Sequence, residues 1–193
     1  MSITPVTRRF LLFGTLAGST VRLAALSLPL APARANVAEP PKFILVMRHA
    51  EKPEDPRDPD LTPEGVARAE KLAGYIPETF GPPDFIFAAA ISKHSARPFE
   101  TVQPLAKRTG KAIDATIADQ DYGALAAELS DAAYSGKQIV VCWHHGNIPS
   151  LLHALGAKDG DYPDPWNRNV FNLILKVEFL GNKVKVSEVV EPF

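Results

Sequence analysis

Apolar and polar residues alternate along this chain in blocks that are typical of strands and helices packed in layers. Five consecutive apolar residues at 43–47 follow a proline pair and predict a buried strand of a parallel sheet. After it, Thr62 and Pro63 suit the N-cap and the first position of a helix. The predicted buried face of this helix comprises Val66, Ala69, Leu72, Ala73 and Ile76.

The rest of the chain continues the alternation of strand and helix. Further strands are predicted at residues 84–90, 112–114, 139–143, 170–179 and 183–190, and further helices at about 97–108, 122–134 and 148–155. Gly181-Asn182 joins the last two strands as a short hairpin connection. This order predicts a three-layer α/β/α domain with a mainly parallel sheet and a C-terminal β-hairpin.

The first 35 residues have a different character from the rest. They contain no Asp, Glu or Lys, and Arg8-Arg9 stands directly before an apolar stretch. A small-x-small cleavage site ends at Ala35, so residues 1–35 are predicted to be a twin-arginine signal peptide. An uncleaved anchor helix is the alternative, but prolines, glycines and Arg22 interrupt the stretch. The signal implies export by the twin-arginine machinery, to the periplasm or beyond, with no stable membrane insertion after cleavage.

Removal of the signal peptide makes the protein more acidic. The full chain has a formal net charge of -1, whereas residues 36–193 carry 17 Lys and Arg against 22 Asp and Glu. This balance argues against a nucleic-acid partner, because such binding needs a basic face. The length of residues 36–193 suits one domain, and the single Cys142 excludes an internal disulfide.

Three predicted strand ends carry groups suited to phosphate chemistry. They are Arg48-His49, the segment 92–97 and His144-His145. Carboxyl ends of parallel strands converge in space, so these groups are expected around one crevice. Arginine matches two phosphate oxygens at once, and neutral imidazole serves as a nucleophile while a second imidazole donates a proton or stabilises the transition state.

Four motifs, in order, resemble the histidine phosphatase superfamily, whose fold is phosphoglycerate mutase-like. They are Arg-His-Ala-Glu at 48–51, Leu-Thr-Pro-Glu-Gly at 61–65, Arg97 with Thr101 four residues on, and a strand that ends in His145-Gly146. Arg-His alone is weak evidence, but the ordered combination is specific. The resemblance spans roughly residues 43–155.

The resemblance implies a role for each motif. His49 would be the phosphorylated nucleophile, Arg48 and Arg97 the phosphate clamps, and His145 the second catalytic histidine, also in contact with phosphate. No metal or other cofactor is needed for this chemistry in the family. The implied function is an exported phosphomonoesterase that acts on a small-molecule or macromolecule-linked phosphate ester.

The chain departs from the family pattern at three places. Ala50 replaces the usual glycine after the first histidine, and Pro98 replaces the usual alanine after the second arginine, where it suits the first turn of a helix. The late motif contains two histidines. His145 is preferred because it directly precedes the glycine, and His144 is expected on the opposite face or at the rim of the pocket.

The general acid is the least specified part of the site. Many family members protonate the leaving group with an acidic residue from a variable middle segment. Asp121 is taken as the candidate, with Asp119 and Glu51 as alternatives. Both aspartates would equally well cap the helix predicted to follow them. Without an acid, the enzyme would favour substrates with good leaving groups.

Two other functions fit the same residues. His49, His144 and His145 could bind a catalytic metal, but neighbouring strand residues point in opposite directions and two arginines would repel a dication. The second alternative is a non-catalytic phosphate or anion-binding module on the same fold. Substrate specificity is expected to come from the segments 52–60, 114–122 and 159–168.

Overall fold

The computed structural model describes residues 39–193. The predicted signal peptide lies outside the described residues. Within the described part of the chain, no helix combines the length and the apolar character needed to cross a membrane.

Six strands and four α-helices alternate along the described chain. The strands are β1 (Phe43–Arg48), β2 (Phe85–Ala88), β3 (Ile113–Asp114), β4 (Gln138–Trp143), β5 (Leu173–Leu180) and β6 (Lys183–Val190). The helices are α1 (Pro63–Phe80), α2 (Arg97–Thr109), α3 (Tyr122–Glu128) and α4 (Ile148–Ala154). The predicted strand at 170–179 is shorter than expected, and its first residues instead lie beside the site described below.

The strands form one mixed sheet in the order β3-β2-β4-β1-β5-β6. The first four run parallel, while β5 and β6 form an antiparallel hairpin against β1. The central strands β1 and β4 pair from Phe43 with Gln138 to Arg48 with Trp143. The predicted mainly parallel sheet with a C-terminal hairpin is confirmed.

Alternate residues of β1 enter two separate hydrophobic cores, one on each face of the sheet. Phe43, Leu45 and Met47 pack with residues of α1 and α2, whereas Ile44 and Val46 pack with residues of α3 and α4. A strand buried on both faces is why its sequence is continuously apolar. The layers hold the carboxyl ends of β1 and β4 side by side.

Helix α1 begins as predicted, but its buried face includes Gly65 in place of Val66. The Thr62 hydroxyl accepts a hydrogen bond from the Gly65 N–H at 3.1 Å, and Val66 is 51% exposed. A Cβ atom on Gly65 would stand 2.5 Å from the Glu51 carbonyl oxygen. The glycine of the Leu-Thr-Pro-Glu-Gly motif therefore lets the helix approach the backbone two residues after His49.

The helix predicted at 122–134 was wrong in length. Helix α3 ends at Glu128, and a separate 3-10 turn, Ala132–Tyr134, follows. Asp131 caps that turn by accepting a hydrogen bond from the Ala133 N–H at 2.8 Å. Side chains of this kind compete with the backbone for hydrogen bonds, which divides the apolar pattern into two short elements.

Candidate active site

His49 follows the carboxyl end of β1 and is almost fully buried. Its ring Nδ1 lies 2.7 Å from the carbonyl oxygen of Ala50. Because a carbonyl only accepts hydrogen bonds, Nδ1 must carry the proton, and Nε2 then holds a free lone pair. This is the tautomer that a nucleophilic histidine needs.

The surroundings keep the imidazole of His49 neutral. Burial lowers its pKa to about 2, and the nearby His144, Arg48 and Arg97 act in the same direction, against the Ala50 carbonyl. A neutral ring retains its lone pair throughout the physiological pH range. The site therefore favours nucleophilic attack by His49 over acid catalysis by it.

Thr101 connects the backbone beside His49 to the beginning of α2. Its hydroxyl accepts a hydrogen bond from the Ala50 N–H at 2.9 Å and donates one to the Arg97 carbonyl at 2.8 Å. The side chain is 1% exposed. Residues four apart on a helix lie on one face, which explains the Arg-x-x-x-Thr spacing.

A cavity of about 530 Å³ lies at the carboxyl ends of β1, β2 and β4. Most of its polar lining comes from the three predicted strand ends. Among the lining residues are His49, Lys52, Ser92, His94, Arg97, Asp119, His144 and His145. The expected convergence of these segments therefore occurs, and it surrounds His49 with cations and imidazoles.

Arg97 is the arginine that lines the His49 cavity. Its Nη1 donates to the Asp58 carbonyl at 2.8 Å and its Nη2 to the His94 carbonyl at 3.4 Å. The Nε atom is buried and has no hydrogen-bond partner among the described residues. The guanidinium is thus held in place by backbone oxygens with donor capacity left for an anion.

His144 is the histidine that packs against His49. The two ring centroids are 5.1 Å apart in an edge-to-face arrangement. Burial lowers the pKa of His144 to about 4, with a further contribution from Arg97. The expectation that His144 lies on the opposite face or at the rim is thus corrected. His145 also lines the cavity, but the position beside the nucleophile belongs to His144.

Arg48 is buried beneath the site but lines a different, adjoining cavity. Its Nη1 donates to the carbonyls of Arg168 and Val170, and its guanidinium lies 3.7 Å from the ring centroid of Phe171. The two predicted phosphate clamps therefore face two neighbouring cavities. Arg168 ends the segment 159–168 that was expected to contribute to specificity, whereas Phe171 was missed by the sequence analysis because no motif marks it.

Asp119 lines the His49 cavity, whereas Asp121 is exposed and is not among the lining residues. The Asp119 carboxylate accepts a hydrogen bond from Asn147 Nδ2 at 2.7 Å, and its backbone carbonyl accepts one from Trp143 Nε1 at 2.9 Å. Burial raises the pKa of Asp119. The structure thus corrects the choice of candidate acid from Asp121 to Asp119.

Comparison with solved structures shows the same fold in several phosphatases. Protein histidine phosphatase SixA, solved with tungstate, matches with a TM-score of 0.57 and 14% identity over 77% of this chain and 96% of that chain. The alpha-ribazole phosphatase of Shigella flexneri matches with a TM-score of 0.56 and 14% identity, also over 77% of this chain and 96% of that chain. A phosphoserine phosphatase mutant of Entamoeba histolytica, in complex with phosphoserine, matches with a TM-score of 0.53 and 16% identity over 75% of this chain and 94% of that chain.

The chain has a phosphoglycerate mutase-like α/β fold, which it shares with these phosphatases. No protein-family model and no curated protein sequence matches it. At these levels of identity the likeness establishes the fold, which agrees with the resemblance carried by the sequence motifs. The chemistry must be argued from the side chains.

Glu51, the third candidate acid, forms its contacts away from the His49 cavity. Its carboxylate forms an ion pair with Arg68 at 2.8 Å, and Arg68 Nη1 also contacts Glu191 Oε2 at 2.6 Å. Glu51 lines neither of the two cavities. The Arg68 network therefore joins the segment after His49 to α1 and to the C-terminal segment.

The buried Glu191 should make the stability of the protein depend on pH. Burial raises its pKa from the usual 4.5 to about 7, against the attraction of Arg68. Between these values the folded protein binds more protons than the unfolded chain, so the contribution of Glu191 is largest below about pH 4.5. This contribution should fall by about 3 kcal/mol in total as the pH rises from below 4.5 to above 7.

Urea unfolding at pH 5 and pH 8 would measure this effect. Glu191→Gln should remove it, because the amide does not titrate. Glu78→Gln is a suitable control, since that side chain is 72% exposed in its ion pair with Arg108. Equal pH dependence in the wild type and Glu191→Gln would contradict the prediction.

The metal-site hypothesis finds no support in the geometry. Within residues 39–193, no group of three or more His, Cys, Asp or Glu side chains is arranged to hold a metal ion. The arrangement instead matches an anion site with a neutral nucleophile.

Proposed function

We propose that this protein is an exported phosphatase that hydrolyses a phosphate monoester through a phosphohistidine on His49. The observation that carries the proposal is the hydrogen bond from Nδ1 to the Ala50 carbonyl at 2.7 Å, which leaves Nε2 as the nucleophile. Arg97 and His144 stand in the same cavity, where they suit the charge of a phosphoryl group.

The reaction proceeds in two displacements at phosphorus. His49 Nε2 attacks, the bond from phosphorus to the ester oxygen breaks, and that oxygen takes the proton of Asp119 as the alcohol leaves. Water then attacks the phosphohistidine, its proton passes to Asp119, and the bond between phosphorus and nitrogen breaks. Neutral His144 donates a hydrogen bond to the phosphoryl oxygens, and Arg97 neutralises their charge.

Hydrolysis of phenyl phosphate by the purified protein tests this function. Activity that survives a chelator, together with an acid-labile and base-stable phosphoenzyme in rapid quench, supports it. No turnover with phosphate still bound would instead favour the anion-binding module, and activity abolished by the chelator would favour a metal enzyme. If rapid quench under saturating substrate trapped no phosphoenzyme, the result would count against His49 as the nucleophile.

Asp119→Asn should distinguish substrates by their leaving group. Burial raises the pKa of Asp119, which favours the protonated form that a general acid needs. We expect kcat for an alkyl phosphate to fall by about 100-fold or more, and kcat for 4-nitrophenyl phosphate by less than about fivefold, because nitrophenolate leaves without a proton.

Asp121→Asn is the matched control, since Asp121 is exposed and lies two residues away. It should leave both rates unchanged. If Asp119→Asn lowered kcat equally for both substrates, the carboxylate would support the structure of the site and would not serve as the acid. If Asp121→Asn showed the leaving-group dependence, the original assignment of Asp121 would be restored.

The proposed location outside the cytoplasm rests on the sequence of residues 1–35. Arg8-Arg9, the apolar stretch and the cleavage site at Ala35 support it. Replacement of both arginines by lysine should leave an unprocessed precursor in the cytoplasmic fraction, as seen by immunoblotting. Normal processing of that variant would contradict twin-arginine export.

The expected absence of a nucleic-acid partner stays a prediction.

A further inference from the structure

A second cavity of about 650 Å³ adjoins the His49 cavity. Lys52 and His145 line both cavities, so they form the boundary between them. The remaining polar lining of the second cavity includes Arg48, Arg168 and Asn169, and Phe171 supplies its aromatic wall. A substrate whose phosphate lies at His49 would extend past Lys52 and His145 into this space.

The second cavity is strongly cationic. Arg48 and Lys52, from the end of β1 and the loop after it, and Arg168, from the segment before β5, line it together, and Glu54 is the sole carboxylate among its described lining residues. Arg48, Lys52 and Arg168 also lie close enough to His145 to lower its pKa, in addition to the effect of burial. Such an excess of positive charge favours an anionic ligand.

The arginine at the base of this cavity is held rigidly. Arg48 stacks on Phe171 at 3.7 Å, and its Nη1 is bound to the carbonyls of Arg168 and Val170. Its Nε atom is buried without a hydrogen-bond partner among the described residues. The same contacts attach the backbone at 168–170 to the end of β1. A fixed guanidinium loses little entropy on binding a ligand.

We propose that the second cavity binds a second anionic group of the substrate, on the alcohol side of the ester. Building on the proposed function, this makes the substrate a phosphate monoester whose alcohol carries a carboxylate or a further phosphate. Lys52 and Arg168 bind that group, while His49 and Arg97 act on the scissile phosphate. The shape and charge of the second cavity then determine specificity.

Phenyl phosphate and 3-carboxyphenyl phosphate form a matched pair of substrates for the test. Their phenol leaving groups have similar pKa values, so they differ mainly in the second anion. The wild type should favour the carboxylated ester in kcat/KM by about tenfold or more, mainly through KM. Arg168→Gln and Lys52→Gln should each bring this ratio close to one, and Arg168→Glu should reverse it.

Arg57→Gln is the control variant. Arg57 lies in the same loop as Lys52, but it is 88% exposed, pairs with Asp55 and lines neither cavity. It should keep the ratio of the wild type. Thermal unfolding of each variant would show that the exposed Arg168 is not needed for folding.

Two results would overturn the inference while the proposed function stands. One is His49-dependent hydrolysis of phenyl phosphate with no preference for the carboxylated ester. The other is an equal decrease in kcat/KM for both esters in Arg168→Gln, which would show that Arg168 and the second cavity bind the scissile phosphate. If neither ester is hydrolysed, the proposed function fails and the inference fails with it.

Discussion

His49→Ala is expected to lower kcat for phosphate monoesters by about 10⁴-fold or more. The variant lacks the Nε2 lone pair that forms the phosphoenzyme, and no other neutral imidazole occupies the same place after β1. Arg97 and His144 remain, so inorganic phosphate should still bind. Steady-state hydrolysis and isothermal titration with phosphate would separate the loss of chemistry from the loss of binding.

His153→Ala is the natural control for this experiment. His153 is exposed and contacts Asp159, away from both cavities. Its rate should equal that of the wild type. A His49→Ala protein that kept more than about one hundredth of the wild-type rate would show that the phosphoryl group does not pass through His49.

His144→Ala is expected to lower kcat by about 100-fold or more, whereas His145→Ala should cost about tenfold or less. The difference follows from position: the His144 ring packs 5.1 Å from the His49 ring, and His145 stands at the boundary with the second cavity. A preorganised hydrogen-bond donor beside the reacting phosphoryl group contributes about 10²–10³-fold.

The two variants differ by one position in the chain, so each controls for the other. The effect of His145→Ala should appear mainly in KM, because the residue lies where the alcohol side of the substrate would pass. If His145→Ala had the larger effect on kcat, the assignment drawn from the His-Gly motif would be right. The packing of the His144 ring against His49 would then support the structure of the site without a direct part in catalysis.

The fold could be predicted from the sequence because its signals are local. The apolar run before Arg48 is continuous since β1 is buried on both faces, and Thr62 with Pro63 marks the start of α1. The Arg-x-x-x-Thr spacing likewise follows from one turn of α2. Patterns of this kind depend on backbone geometry, which repeats in any fold.

The errors occurred where long-range contacts, which no local pattern reports, set the surroundings of a side chain. The helical spacing predicts Val66 in the core. In the structure α1 instead buries Gly65, because its close approach to the Glu51 backbone leaves no space for a Cβ atom there. Asp121 was preferred to Asp119 although no local pattern separates them. The Trp143 ring N–H binds the Asp119 carbonyl and Asn147 binds its carboxylate, and both contacts join residues far apart in sequence.

By itself the sequence determined the order of strands and helices, the strand-end position of His49 and the presence of Arg97 one helix turn before Thr101. The tertiary structure alone decided that His144 stands beside His49, that Asp119 enters the cavity, and that Arg48 faces a second one lined by Arg168 and Phe171. The reason is physical. Periodicity sets the direction of a side chain within a strand or helix, whereas beyond the end of a strand that direction depends on long-range contacts.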